Sequence, residues 1–285
     1  MAPHAWICAM KAISQTIDLP SGRFHYLTWG AAQPPARPTV VLLHANAGSA
    51  ASWSRVGPAL ADRFCVFAPD LRGHGSSVKA PAGSYGLRDA ANDIGAFLHA
   101  LELTEPLLIG HSWGAAVALV LATGAESTKP APALSGLVLE DPPAAMSLTR
   151  QNQPLSDLIR AMATPAEVLR ELLTVVHPDW DDIDADSWVE GLQSTQPEIS
   201  SSVVSDGARS GPLLPLLAQL TAPTLLLRAD PAHGGSLDST DWDQARKLLP
   251  PHSTALDMPG TPHDIHRSRF DHYLRAVRTW SCPEE

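Results

Sequence analysis

The residues best placed for chemistry are Gly110-His111-Ser112-Trp113-Gly114, a G-x-S-x-G motif. The apolar run Leu107 to Ile109 before it reads as a short buried strand. Small and apolar residues from Ala115 to Leu121 read as the first turns of a buried helix. A serine on a sharp strand-to-helix turn projects its hydroxyl out of the fold. The helix N-terminus behind it favours negative charge developing there. A hydroxyl is a weak nucleophile near neutral pH. It needs a base within hydrogen-bond reach, and the base needs an orienting acid. His263 and His266 are the candidate bases, with Asp230 and Asp141 the acids that follow predicted strands.

The surrounding elements must bring these residues together. Ser14 to Trp29 alternates loosely around Pro20-Ser21-Gly22 and predicts an edge hairpin. Continuous apolar runs predict buried strands at 39–43, 64–68, 107–109, 136–139 and 224–228, with a last strand at 253–258. Helical periods fall between them, at 54–61, 87–103, 213–220 and 270–280. Alternation of this kind implies a mostly parallel, doubly wound α/β sheet, with ligands at the carboxyl ends of its strands. His44 to Ser49, Asp70 to Ser77, Ser112, Asp141, Asp230 and His263 all follow strands, so they should converge on one edge.

From 144 to 212 the alternation gives way to short helical segments. Thr164-Pro165-Ala166-Glu167 predicts a capping box opening a helix to about Val176, and Asp186 a cap for a helix at 187–192. We therefore expect a core of 1–143 and 213–285 and a helical cap of 144–212. Leu158, Met162, Leu169, Leu172 and Trp188 are its candidate lining residues.

Composition narrows the partners. The chain has 285 residues, 44% of them hydrophobic, and a formal net charge of −10. That acidity disfavours nucleic acid and anionic membrane surfaces. Three scattered cysteines, Cys8, Cys65 and Cys282, indicate neither disulfides nor a zinc site, and Cys65 reads as a core residue. No apolar run reaches the ~18 residues of a membrane span. The N-terminal MAPHAWICAMK lacks a signal-peptide pattern, which predicts a soluble cytoplasmic protein. The acidic run Asp179 to Glu190 fails the EF-hand pattern, with Ser187 where glycine is needed and Gln193 where glutamate is needed. His263 and His266 with His233 lack a supporting thiolate or carboxylate pattern, so no metal is expected.

These motifs, taken in order, resemble the α/β-hydrolase superfamily over nearly the whole chain. His44-Ala45-Asn46-Ala47-Gly48 resembles its HG-x-x-G oxyanion loop, with Ala45 replacing a glycine. Asp70 to Ser77 resembles the loop after the following strand, and GHSWG the nucleophile elbow. Pro259 to Ile265 resembles the catalytic-histidine loop, with Pro262 replacing a small residue.

The resemblance implies the order serine, acid, histidine: Ser112, then Asp230, then His263, with Asp141 the alternative acid used by some relatives. It assigns oxyanion donors to the backbone of Asn46 and Trp113, and makes Arg72, His74, His44 and His111 loop-bracing residues. Trp113 reads equally as pocket lining or core. The expected activity is cofactor-free hydrolysis of a small carboxylic ester, lactones and aryl esters included, through an acyl-enzyme. C–C hydrolysis of a diketone-type substrate is the enzymatic alternative, and a non-catalytic ligand receptor on the same fold the other. Serine in place of aspartate disfavours haloalkane dehalogenase and epoxide hydrolase chemistry.

Overall fold

Strands built from unbroken aliphatic runs must be covered on both faces, and the central strands of this sheet are. In the computed structural model, which describes residues 11–30, 37–125, 130–147 and 155–281, the chain forms β1 (Ile13–Leu19), β2 (Gly22–Trp29), β3 (Thr39–Leu43), α1 (Val56–Leu60) and β4 (Cys65–Pro69). It continues through α2 (Leu87–Ala100), β5 (Leu107–His111), α3 (Trp113–Thr123) and β6 (Gly136–Glu140). The insertion follows as α4 (Leu155–Met162), α5 (Ala166–Val176), α6 (Asp182–Ser194) and α7 (Pro197–Gly207). β7 (Thr224–Ala229), α8 (Ser239–Leu248), β8 (Thr254–Met258), α9 (Ile265–Ser268) and α10 (Phe270–Ser281) complete it.

The eight strands run in the order β1-β2-β4-β3-β5-β6-β7-β8. The β1–β2 hairpin is antiparallel, β2 joins β4 antiparallel, and the remaining pairs are parallel. Side chains alternate between faces: on β3, Val41 and Leu43 join the core under α2 and α3, while Val40 and Leu42 join the core under α1 and α10. The chain leaves β3 towards β4 on one side and returns to β5 on the other. That reversal opens a crevice beyond the carboxyl ends of β3 and β5, where His44 to Gly48 and Ser112 lie.

The crossing of β5 and α3 depends on two glycines. A Cβ on Gly110 would lie 2.4 Å from the Gly114 carbonyl oxygen. One on Gly114 would lie 2.3 Å from the oxygen of Leu43 and 2.6 Å from that of His44. Between them Ser112 sits at φ 53°, ψ −117°, a strained conformation for an L residue.

The sequence expectations need several adjustments. The helix expected at 54–61 is the shorter α1, Val56–Leu60, preceded by a 3-10 turn at Ala50–Trp53, and 213–220 is a 3-10 helix, Leu214–Gln219. Thr164 does not cap α5: its hydroxyl donates to the Arg160 carbonyl at 2.9 Å, closing α4 instead. Asp181, not Asp186, caps α6, and Asp186 pairs with Arg170 at 2.6 Å from inside that helix. Helices α4 and α7 fall within the helical segment expected at 144–212, and α8 is a helix the sequence pattern does not indicate. Within the acidic run Asp184 is buried, bonded to Arg55 at 2.8 Å, and so fastens α6 to the core. Cys65 is buried in the core. The N-terminal stretch, Cys8, Cys282 and most of the Ala31–Pro38 loop lie outside the described residues. Among the described residues no helix is long and apolar enough to cross a membrane.

Backbone atoms cannot rotate away from a new methyl group. Gly114→Ala should therefore cost about 3 kcal/mol or more, or prevent folding. Gly95→Ala in α2, whose Cβ would meet only Leu121 at 3.6 Å, should be neutral or stabilising by up to ~1 kcal/mol. Urea unfolding of the two variants checks the ranking.

Candidate active site

Ser112 caps a cavity of about 310 Å³ whose walls include Asn46, His111, Trp113, Ser236 and His263. Its backbone N–H donates to the Glu140 carbonyl at 2.9 Å and its carbonyl accepts from Ala116 at 3.0 Å. The hydroxyl itself has no hydrogen-bond partner among the described residues. It is not bonded to His263 here, a contact that in ligand-free sites often tightens only with substrate. The Trp113 N–H is the first of α3, one of the helix donors that have no intrahelical acceptor. The Asn46 N–H has no acceptor among the described residues. Both residues line the same cavity as Ser112.

His263 is oriented from behind. Its Nδ1 lies 2.6 Å from Asp141 Oδ2 and 3.3 Å from Ser236 Oγ. Burial pulls the imidazole pKa down, but the hydrogen bond and charge of Asp141 more than reverse this, and the net shift is upward. Asp141 is fully buried and also accepts from Ala229 N at 3.0 Å and Ser236 N at 2.7 Å. Its φ of 42° turns the carboxylate back towards the histidine loop. Aspartate tolerates this left-handed conformation better than most residues.

Asp230, the acid favoured from sequence, is corrected by this geometry. Its carboxylate accepts from Ala232 N at 2.9 Å and Gly260 N at 2.7 Å, and meets His233 Nδ1 at 3.3 Å. It caps the 3-10 turn Pro231–His233 and ties that turn to the loop before His263. Sequence position could not separate the two acids, since both follow a strand. The positive φ of Asp141 does, and it is visible only in three dimensions.

Beneath His263 lies a second carboxylate–imidazole pair. Glu140 Oε1 accepts from both the backbone N–H and Nδ1 of His266, each at 2.9 Å. Burial pushes Glu140 up to about 7 and His266 down to about 3. His111 Nε2 meets the His263 carbonyl at 3.1 Å, and burial lowers His111 to about 4. His266 is therefore a buried, structural imidazole, and His111 braces the histidine loop.

The remaining loops are held by polar cores. Buried Asp70 accepts from Ala50 N at 2.6 Å and Ser76 N at 2.9 Å. His44 Nε2 accepts from Leu71 N at 2.9 Å. His74 Nε2 accepts from Ala47 N at 3.0 Å, fixing Ala47 at φ 60°. Arg72 braces α2 through Asp93 at 2.6 Å. Asn46 Nδ2 donates to Ser200 Oγ at 2.9 Å, so this side chain ties the loop to α7, a role the sequence did not suggest. Trp113 is 1% exposed and still borders the cavity, so it serves as both core and lining. From the insertion, Leu158, His177, Trp188 and Leu192 line the cavity. Met162 and Leu169 pack inside the insertion, and Leu172 faces outward at 53% exposure.

Comparison with known proteins agrees with this architecture. The family described as alpha/beta hydrolase fold matches residues 38–171. A soluble epoxide hydrolase from Corynebacterium sp. (strain C12) is 41% identical over 100 residues, 35% of this chain and 33% of that protein. The chain thus matches only about a third of that relative's length. The crystal structure of an N-formylmaleamic acid deformylase from Pseudomonas putida S16 superposes with a TM-score of 0.73 at 23% identity, covering 93% of this chain and 100% of the other. A carboxylesterase from Bacillus subtilis gives 0.74 at 18% identity, covering 97% and 94%. At such identities the likeness is one of fold.

The Asp141–His263 contact can be checked without reference to any reaction. A hydrogen-bonded imidazole Nδ1–H resonance should disappear from the downfield proton spectrum in His263→Gln and in Asp141→Asn. It should persist in Asp230→Asn. Loss in Asp230→Asn alone would return the partner role to Asp230.

Proposed function

From the alpha/beta hydrolase fold that this chain carries, we propose a serine hydrolase that cleaves a small carboxylic ester through an acyl-enzyme. One observation carries the reading: a strained serine at a strand-to-helix turn opens onto the same cavity as an imidazole anchored by a buried carboxylate. Ser112 attacks the carbonyl carbon as His263 Nε2 takes its proton. Asp141, on the opposite ring nitrogen, holds the tautomer that leaves Nε2 free to accept and stabilises the imidazolium. The N–H groups of Asn46 and Trp113 receive the oxyanion. His263 then protonates the leaving alcohol, and water attacks the acyl-serine with the same base.

The fold alone does not select the bond, since the similar proteins named above include an epoxide hydrolase, a deformylase and a carboxylesterase. The hydroxyl nucleophile favours acyl transfer over epoxide opening. Helices α4 to α7 act as a cap, and the apolar Leu158, Trp188 and Leu192 suit an uncharged acyl or alcohol portion.

Ser112→Ala should retain the fold, lose labelling by a fluorophosphonate, and lower kcat on p-nitrophenyl esters by about 10⁴–10⁶. Asp141→Asn should lower it by about 10⁴, while Asp230→Asn stays within about tenfold of wild type. A folded Ser112→Ala protein with near-wild-type turnover would sink the assignment. The cap has its own test. Leu158→Trp should shift kcat/KM between short and long acyl chains by about 10- to 200-fold, and Leu172→Trp, on the outer surface, should leave the profile flat.

A further inference from the structure

We propose that the floor of the active-site cavity is a binding site for a divalent transition metal of the zinc type, built from His111, Asp264 and His266. Each offers one ligand atom, and these atoms lie within 4.8 Å of one another. The hydrogen bonds around these side chains leave one ring nitrogen on each histidine and one oxygen of the carboxylate open. His266 gives its Nδ1 to Glu140 at 2.9 Å, and its Nε2 is buried with no partner. His111 gives its Nε2 to the His263 carbonyl at 3.1 Å, and its Nδ1 has no partner among the described residues. Asp264 Oδ1 accepts from Arg267 at 2.6 Å, and its Oδ2 likewise has no partner among the described residues.

This is the outer-shell arrangement of metal-bound histidine. A carboxylate or carbonyl takes one ring N–H, fixes the tautomer, and presents the other nitrogen's lone pair. Two imidazoles and one carboxylate suit zinc and its neighbours, and leave a coordination position for water. An entry path exists, because His111 and Asp264 both line the cavity. The Arg267 guanidinium beside Asp264 opposes a second cation, so the affinity should be micromolar rather than that of a structural zinc. Sequence reading missed the site because His111 and His266 come from distant parts of the chain.

A cation there sits under the loop that carries His263 and repels the imidazolium on which turnover depends. Zinc should therefore inhibit, a consequence that rests on the hydrolase reading. The binding does not rest on it and is measured separately.

The test is a Zn²⁺ titration of the wild-type protein followed by ¹⁵N resonances of the histidine rings, with Co²⁺ absorption as the second probe. We expect saturable one-to-one binding. His111 Nδ1 and His266 Nε2 should shift, while His177 and His233, two further histidines that line the cavity, stay unmoved. His111→Gln and His266→Gln, which keep an N–H donor but lose the imidazole lone pair, should each weaken Zn²⁺ binding at least about 100-fold. Glu140→Gln, which alters only the outer shell, should weaken it about 10- to 100-fold. Absence of micromolar binding, or shifts at His177, His233 or His263 in place of His111 and His266, would overturn the proposal. Binding without inhibition would leave the site standing and count against the catalytic role of His263.

Discussion

Two backbone contacts govern this molecule: Gly110 against Gly114, and Gly114 against the carbonyls of Leu43 and His44. They let α3 cross β5 at a distance no side chain permits. Ser112 is thereby forced to positive φ, a strain of order 1–3 kcal/mol that only surrounding structure can hold. That structure is the apolar core around α3, buried from Trp113 to Ala122. The same contacts bring the end of β3 beside the serine. The loop carrying Asn46 is thus positioned by the feature that exposes the hydroxyl.

The other elements act as braces on that arrangement. Buried Asp70 and His74 stiffen the loops after β3 and β4 through backbone N–H groups. Such groups are costly to bury unpaired, which is why these loops carry acceptor side chains inside. Asp230 braces the loop before His263 through the Gly260 N–H, and His111 braces it through the His263 carbonyl. Several residues that look reactive in sequence therefore spend polar atoms on backbone, while the Ser112 hydroxyl is left without a partner among the described residues.

Most of the sheet was legible because its strands are continuous aliphatic runs, and a run such as Thr39–Leu43 has few alternatives. Ser112 and His263 were legible from motifs tied to strand ends. The insertion was less so. Its helices are amphipathic around a small core of their own, and local caps mislead when a residue such as Thr164 can serve the preceding helix instead. The partner of His263 was undecidable from sequence. Asp141 and Asp230 occupy equivalent strand ends, and the choice depends on the left-handed turn at Asp141 and on the backbone donors of Ala229 and Ser236.

The neighbouring acids Glu140 and Asp141 make the end of β6 far less tolerant of length changes than of substitutions. Each acid serves a different histidine, three residues apart at the start of α9 and the loop before it. Successive residues of a strand point to opposite sides, so a one-residue shift exchanges every side chain between faces. A deletion in β6 would draw Asp141 back towards the place of Glu140 and leave His263 without its carboxylate. An insertion would do the converse. In evolutionary terms the two positions can drift separately in residue type, but the spacing from Gly136 to Asp141 is locked.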